Sequence, residues 1–415
     1  MIRQKQQQQN QPLGFAEPVV DDLLKHSLRE QLESLTKAKL SDWERRDLLQ
    51  KSFTKAIEAV LLDEKVEHHT LTKLFTDMYD CAALSMAQAG LSQELLTCQF
   101  VSESGLIMSP LNCRTTIKDI YRISGFARGV DKAVKGQLEH KKQIHILYPA
   151  CGPFAPLLLP LLQFYKEQGN ITSEQLKVTL VDIQPGAILA LRQLVTDLSI
   201  SDYIEEVVEQ DATQYVPQHD IDLLVLEAMQ HGFTKEGQLS IAKHLIQFLS
   251  IDGWLIPKEI SVRGILIHGE TEFNQQWKDV EYTHSQYVSD NAQADRVELG
   301  EILKVSKSTL LAMKEIELDD GIKVVEANTV LLPTGIQDVK ERIFAIYARV
   351  ETFDEESVEQ YDSGISHPLP DMTFYIDSRP KAPELKHFIV NSGDAVKFYY
   401  QLTGLPRFIP TKASA

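Results

Sequence analysis

Between residues 141 and 260 the chain alternates short apolar runs with helix-like stretches, and this alternation constrains the fold more than any other feature of the sequence. Residues 144–147, 177–181, 203–208, 221–226 and 253–256 read as five strands. Residues 156–165, 186–198 and 239–249 read as helices, with Pro160 a local cost inside the first. Strands separated by helices must be joined by right-handed crossovers, which make a parallel sheet covered on both faces. The expected class is therefore α/β, a Rossmann-like parallel-sheet core.

The flanks have different rhythms. From 19 to 90 the spacing is helical. Leu23, Leu24, Leu28, Leu32 and Leu35 recur every three or four residues, Leu48, Leu49, Phe53, Ile57, Val60 and Leu61 continue the pattern, and a last helix ends at Gly90. Residues 1–14 are Gln-rich and too polar to offset the entropy of ordering. After 260 the pattern turns to period two or continuous apolar runs, at 261–267, 329–332, 342–350 and 372–376. The acidic stretch 354–362 reads as a solvated loop. The expected organisation is a disordered tail over 1–14, a helical N-terminal region over 15–110, the α/β domain over 111–260 and a β-rich C-terminal domain over 261–415.

Charge narrows the partners. The 59 acidic residues exceed the 42 basic ones, a formal charge of −17, which speaks against a nucleic-acid or anionic-membrane binder. No apolar run approaches the ~20 residues of a membrane span, and the Gln-rich start lacks the apolar core of a secretory signal. The four cysteines, Cys81, Cys98, Cys113 and Cys151, form no Cys-x-x-Cys pair. A reducing cytoplasm is the expected compartment. Glu67-His68-His69 lacks metal-ligand spacing, and no metal site is expected.

In an open parallel sheet, ligands bind beyond the carboxyl ends of the strands. The turn after the first strand, Tyr148-Pro-Ala-Cys-Gly-Pro-Phe-Ala-Pro156, places small residues at Ala150 and Gly152, where a ligand can approach the backbone. It is neither Gly-x-Gly-x-x-Gly nor a Walker loop, which argues against a dinucleotide or a nucleotide triphosphate. Asp182 ends the second strand, where an acid can accept bonds from a ribose diol. Its competing role is to order the turn before the next helix. Asp211 and Ala212 follow the third strand; an acid beside a small residue can meet an adenine amino group, or can cap a helix. Glu227 follows the fourth strand.

This set of residues resembles the class I S-adenosylmethionine-dependent methyltransferases over about residues 114–260. The usual acid-x-Gly-x-Gly-x-Gly turn is degenerate: Tyr148 stands for the acid, Ala150 for the first glycine, Phe154 for the third, and Gly152 is kept. A sharper resemblance follows. Glu227-Ala-Met-Gln-His-Gly-Phe-Thr-Lys-Glu236 is similar to the double-glutamate loop of the protein arginine methyltransferases, and the helix, Asp252-Gly253 turn and strand ending in Pro257 are similar too. Cys113-Arg114-Thr115-Thr116 resembles that family's Arg-Thr before the first strand. The departures are the absence of a Tyr-Phe-x-x-Tyr-like segment before Arg114 and of a Thr-His-Trp loop, for which Ser366-His367-Pro368 is the nearest stretch.

The resemblance implies S-adenosylmethionine as cofactor, held by Arg114, Ala150, Gly152, Asp182, Asp211 and Ala212. Glu227 and Glu236 become the catalytic pair, and a homodimer through the β domain is implied as well. A planar guanidinium suits two carboxylates, which grip it as a fork and leave one nitrogen for the methyl group. Methyl transfer is an in-line displacement that depends on positioning, with reacting atoms ~3–3.5 Å apart. The acceptor is then a guanidino or amine nitrogen, in protein arginine or a small metabolite. Two rivals stay open: a small-molecule O-methyltransferase, with a His or Lys base and no need of Glu236, and a non-catalytic relative used as an interaction module. Glu236 also has a plain alternative, the first turn of a helix capped by Thr234. Arg114 has one too, a surface ion pair, and His231 is either a substrate contact or a loop residue.

Overall fold

The computed structural model describes residues 40–62, 66–272, 274 and 294–413. The Gln-rich tail and the leucines at 23–35 lie outside the described residues. The chain divides into two units, 1–47 and 48–415. In the described part of the first, the Asp42 carboxylate pairs with Arg45 at 2.6 Å and Arg46 at 3.0 Å in the opening turn of helix α1 (Asp42–Leu62). Everything below concerns the second unit.

Helix α2 (His68–Gln88) buries Leu71, Phe75, Met78 and Ala82 along one stripe. A two-stranded hairpin follows, β1 (Phe100–Val101) and β2 (Leu106–Ile107). Helix α3 (Ile120–Leu138) then leads into the parallel sheet. Its strands are β3 (Ile144–Pro149), β4 (Leu176–Asp182), β5 (Ile204–Glu209), β6 (Ile221–Val225) and β7 (Leu249–Ile256). They pair in the order β5-β4-β3-β6-β7, all parallel. Helices α4 (Leu159–Gln168), α5 (Pro185–Leu198) and α6 (Gln238–Leu245) are the crossovers. This is the Rossmann-like core read from the sequence. Pro160 falls in the first turn of α4 rather than in its interior, where its missing N–H costs nothing. The strand order reverses between β3 and β6, so a crevice opens beyond their ends.

The antiparallel part begins two residues after β7. One sheet runs β13 (Glu356–Val358), β12 (Ile343–Phe353), β8 (Glu259–Ile267), β9 (Val297–Ser306), with β14 (Leu369–Asp371) also on β12. A second sheet joins β10 (Glu315–Glu317), β11 (Lys323–Leu331), β17 (Ala395–Gln401) and β18 (Arg407–Lys412). Strands β15 (Phe374–Ile376) and β16 (Phe388–Val390) pair separately. The stretch 354–362 is no simple solvated loop: it contains β13, and Val358 and Tyr361 are fully buried. A run of acids there masks the apolar positions that anchor it.

Helix α3 joins the two kinds of sheet. Gly125 and Gly129 face the β12–β13 turn so closely that a Cβ on Gly129 would lie 2.6 Å from Thr352 Oγ1. The Thr352 hydroxyl donates to the Gly125 carbonyl at 2.9 Å. Further along the same stripe Gly136 meets Trp254 of β7, so this face of α3 also reaches the parallel sheet. The N-terminus of α3 is thereby fixed at the crevice.

Candidate active site

The tips of β3, β4, β5 and β6 converge on two adjoining cavities. The first, about 660 Å³, is lined by Ala150, Gly152, Asp182, Asp211, Ala212 and Glu236, with Ile183, Ala187 and Ile241 as apolar wall. The second, about 910 Å³, is lined by Arg122, Tyr148, Glu227, Met229, Gln230, His231 and again Glu236. Ala150, Gly152, Met108, Cys113 and Glu236 belong to both walls, so the two form one cleft with two ends.

At the first end, Ala150 and Gly152 both take the left-handed conformation, at φ 49° and 65°. The degenerate turn therefore keeps the backbone path that glycines would adopt, with strain at Ala150. Asp182 is only 7% exposed. Its Oδ2 accepts from the Gly152 N–H and its Oδ1 from the Gln184 N–H, each at 2.8 Å. Burial raises its pKa, against the pull of these backbone bonds. Asp182 thus orders the turn before α5 and still presents its remaining lone pairs to the cavity. Asp211 Oδ1 accepts from the Thr213 N–H and hydroxyl, both at 2.8 Å. This is a local turn rather than a helix cap, and among the described residues Asp211 Oδ2 has no hydrogen-bond partner.

A roof covers this end. Ser104, Leu106, Ile107 and Met108 line it from the β1–β2 hairpin and its exit. The Gln184 side chain holds that segment through the carbonyls of Cys98 at 2.8 Å and Met108 at 3.1 Å. The hairpin tip is pinned by Leu106 N–H to the Lys235 carbonyl and by Gly404 N–H to the Glu103 carbonyl, each at 2.7 Å.

At the second end stands a side chain that the sequence reading passed over. The Arg122 guanidinium, 13% exposed, lies 2.9 Å from Glu227 Oε2 and 3.0 Å from Asp119 Oδ2. Its Nε donates to Ser363 Oγ at 3.2 Å, and that hydroxyl donates to Asp119 Oδ2 at 2.6 Å. Asp119 is also the N-cap of α3, accepting from the Arg122 N–H. Burial alone would lower the Arg122 pKa, but Glu227 and Asp119 outweigh it and hold it above its usual value. Asp119 before a helical repeat of Ile120, Ile123, Ala127, Val130 and Val134 was the available signal. Arg114 is elsewhere: it lies over the Tyr79 ring at 5.8 Å and lines neither cavity, and its Nε is buried with no hydrogen-bond partner among the described residues.

The loop between the glutamates is tightly wound. Gln230 and Thr234 bridge across it, and Gly232, Phe233 and Lys235 have positive φ. Phe233 is fully buried, 5.2 Å from the Tyr400 ring. Glu236 precedes α6, whose N-cap is Gly237, and the Thr234 hydroxyl donates to the His231 carbonyl instead of capping a helix. Glu236 Oε1 accepts from Gln230 Nε2 at 2.8 Å. Desolvation and the neighbouring Glu227 push its pKa up to about 7. His231 faces His367, with ring centroids 6.1 Å apart. Desolvation and nearby cations lower the His231 pKa, which favours the neutral ring.

No protein-family model matches the chain, and no curated protein does. Solved structures do. One is the Trypanosoma brucei PRMT1 enzyme-prozyme heterotetrameric complex with AdoHcy, at 13% identity over 72% of this chain and 92% of that one, with a TM-score of 0.39. Another is Arabidopsis thaliana protein arginine methyltransferase 10 in an open conformation, at 12% identity over 70% of this chain and 87% of that one, with a TM-score of 0.40. Among the described residues no helix is long and apolar enough to cross a membrane.

Proposed function

We propose that the chain is an S-adenosylmethionine-dependent methyltransferase acting on a guanidino or amine nitrogen, in protein arginine or a small metabolite. The observation that carries this is the two-ended cleft: Asp182, Asp211 and Ala212 at one end, Glu227 at the other, and Glu236 on the shared wall. The donor set fits the cofactor. Asp182 offers acceptors to a ribose diol, Asp211 Oδ2 an acceptor to an adenine amino group, and Ile183, Ala187, Ala212 and Ile241 an apolar slot. Arg122 is the cation in the cleft wall suited to a carboxylate, a role that Arg114, stacked on Tyr79, is not placed to fill. When bound, S-adenosylmethionine supplies an electrophilic methyl group on a sulfonium.

The chain's own residues do the rest. Arg122 holds Glu227 by one oxygen and fixes its orientation. Glu227 and Glu236 receive the N–H groups of the acceptor and aim its nitrogen at the methyl group. The ionised Glu236 takes the proton that the methylated nitrogen gives up, since a pKa near 7 suits both roles at neutral pH.

The deciding experiment is transfer of labelled methyl from S-adenosylmethionine into cell extract, split into macromolecular and small-molecule pools. Label should enter one pool and be lost in Glu227→Gln. Absence of transfer together with absence of AdoHcy binding overturns the reading. An oxygen acceptor is the second reading, favoured by the neutral His231 on the wall. It requires that His231→Ala abolish transfer while Glu236→Gln spares it.

A further inference from the structure

Glu236 stands on the shared wall of the cleft with one carboxylate oxygen held by a neighbouring side chain. Gln230, three residues after Glu227, donates from Nε2 to Glu236 Oε1 at 2.8 Å and lies 3.5 Å from Met108 Sδ. Its backbone is fixed first: Gln230 N–H donates to the Thr234 carbonyl, and Phe233 N–H returns to the Gln230 carbonyl. We propose that Gln230 is a positioning residue that aims Glu236 at the acceptor nitrogen, an inference that rests on the methyltransferase reading. A primary amide suits the task. It donates without carrying charge, so it orients the carboxylate without neutralising it.

The consequence is a division of oxygens. Arg122 occupies Glu227 Oε2 and Gln230 occupies Glu236 Oε1. Among the described residues Glu227 Oε1 is held only by the Met229 N–H at 3.3 Å, and Glu236 Oε2 has no hydrogen-bond partner. The pair therefore offers one oxygen from each residue, which two N–H groups of a guanidinium or an ammonium satisfy.

The test uses the full chain with ¹³C at its glutamate carboxyl carbons, titrated by NMR, with Glu236 assigned by its disappearance in Glu236→Gln. The charged or titratable groups around this carboxyl are Glu227, Arg122, Lys235 and the Cys113 thiol, and none is altered by the variants. Gln230→Met keeps the length and loses the donor, so the Glu236 midpoint should rise by about one pH unit. Gln230→Lys supplies a charged donor and should lower it. Opposite shifts are not produced by general loosening of the loop. In the transfer assay the acidic limb of kcat should move the same way in each variant, with the KM for S-adenosylmethionine unchanged. A Glu236 midpoint that stays put in both variants overturns the proposal, as does a moved midpoint with an unmoved acidic limb. If the midpoints move as expected but neither AdoHcy binding nor transfer is found, the methyltransferase reading falls and the hold of Gln230 on Glu236 stands.

Discussion

Arg122 Nη1 lies 2.9 Å from Glu227 Oε2, and the two side chains are 13% and 7% exposed. This is a buried ion pair between the first residue run of α3 and the tip of β6, and it ties the orientation of a candidate catalytic carboxylate to the start of a helix. Removing one member leaves the other charge buried and unpaired, which costs far more than the pair itself contributes.

Arg122→Ala should therefore destabilise the protein by about 3 kcal/mol or more and abolish transfer. Arg122→Lys should recover part of the stability, since one ammonium cannot span Glu227, Asp119 and Ser363 with a planar fork. Thermal melts and the labelled-methyl assay check both; a fully active Arg122→Lys would contradict the role given to the guanidinium.

Asp182→Ala removes the acceptor of the Gly152 and Gln184 N–H groups along with the offered ribose contact. Hydrogen bonds to a charged group contribute about 1.5–3 kcal/mol each, so AdoHcy affinity should fall by roughly 10- to 100-fold or more. Calorimetry on wild type and variant decides it, and equal affinities would remove Asp182 from the cofactor site.

The raised Glu236 pKa sets a pH dependence with a definite sign. The folded protein keeps this proton up to about pH 7, whereas an unfolded chain releases it near the ordinary glutamate value of 4.5. Stability from this group is present below the lower value and is lost as pH rises through the folded pKa, because the folded state then has to ionise a desolvated carboxyl. Transfer runs the other way: it should climb as pH rises through about 7, when Glu236 becomes the acceptor of the substrate's N–H groups. A pH–kcat profile and melts of wild type against Glu236→Gln should show the two opposed trends, the second flattened in the variant.

Gly105→Val targets the hairpin tip. A Cβ at Gly105 would sit 2.7 Å from the Gly237 nitrogen and 2.8 Å from the Glu236 carbonyl carbon, both backbone atoms that cannot step aside cheaply. The variant should lower the melting temperature and kcat together, while Gly90→Val, where a Cβ meets nothing within 4 Å, should affect kcat little. Equal kcat in the two would show that the tip does not set the position of Glu236.

The sheet was readable because β3, β4 and β6 are short apolar runs, and because an acid ends or follows β4, β5 and β6: Asp182, Asp211 and Glu227. Such residues stand out at strand tips, where burial otherwise selects apolar side chains. Helix α3 was not readable in the same way. Gly125, Gly129 and Gly136 weaken its helical signature, since glycine is poor in helices, and only the packing on Thr352 and Trp254 explains why they are there. With α3 went Asp119 and Arg122, and the expectation settled on Arg114, eight residues earlier. The His231–His367 approach was equally invisible, because it joins a loop of the parallel core to a loop of the antiparallel part.

Ser363 closes the hydrogen-bond ring around Arg122 and Asp119 from the far side of the chain. The parallel-sheet half therefore does not own its own charge arrangement; the last piece arrives with the antiparallel sheets. A fragment ending near residue 260 could keep every strand of the core and still present a misdirected Glu227, so the two halves have to be handed down, and engineered, as one inheritance.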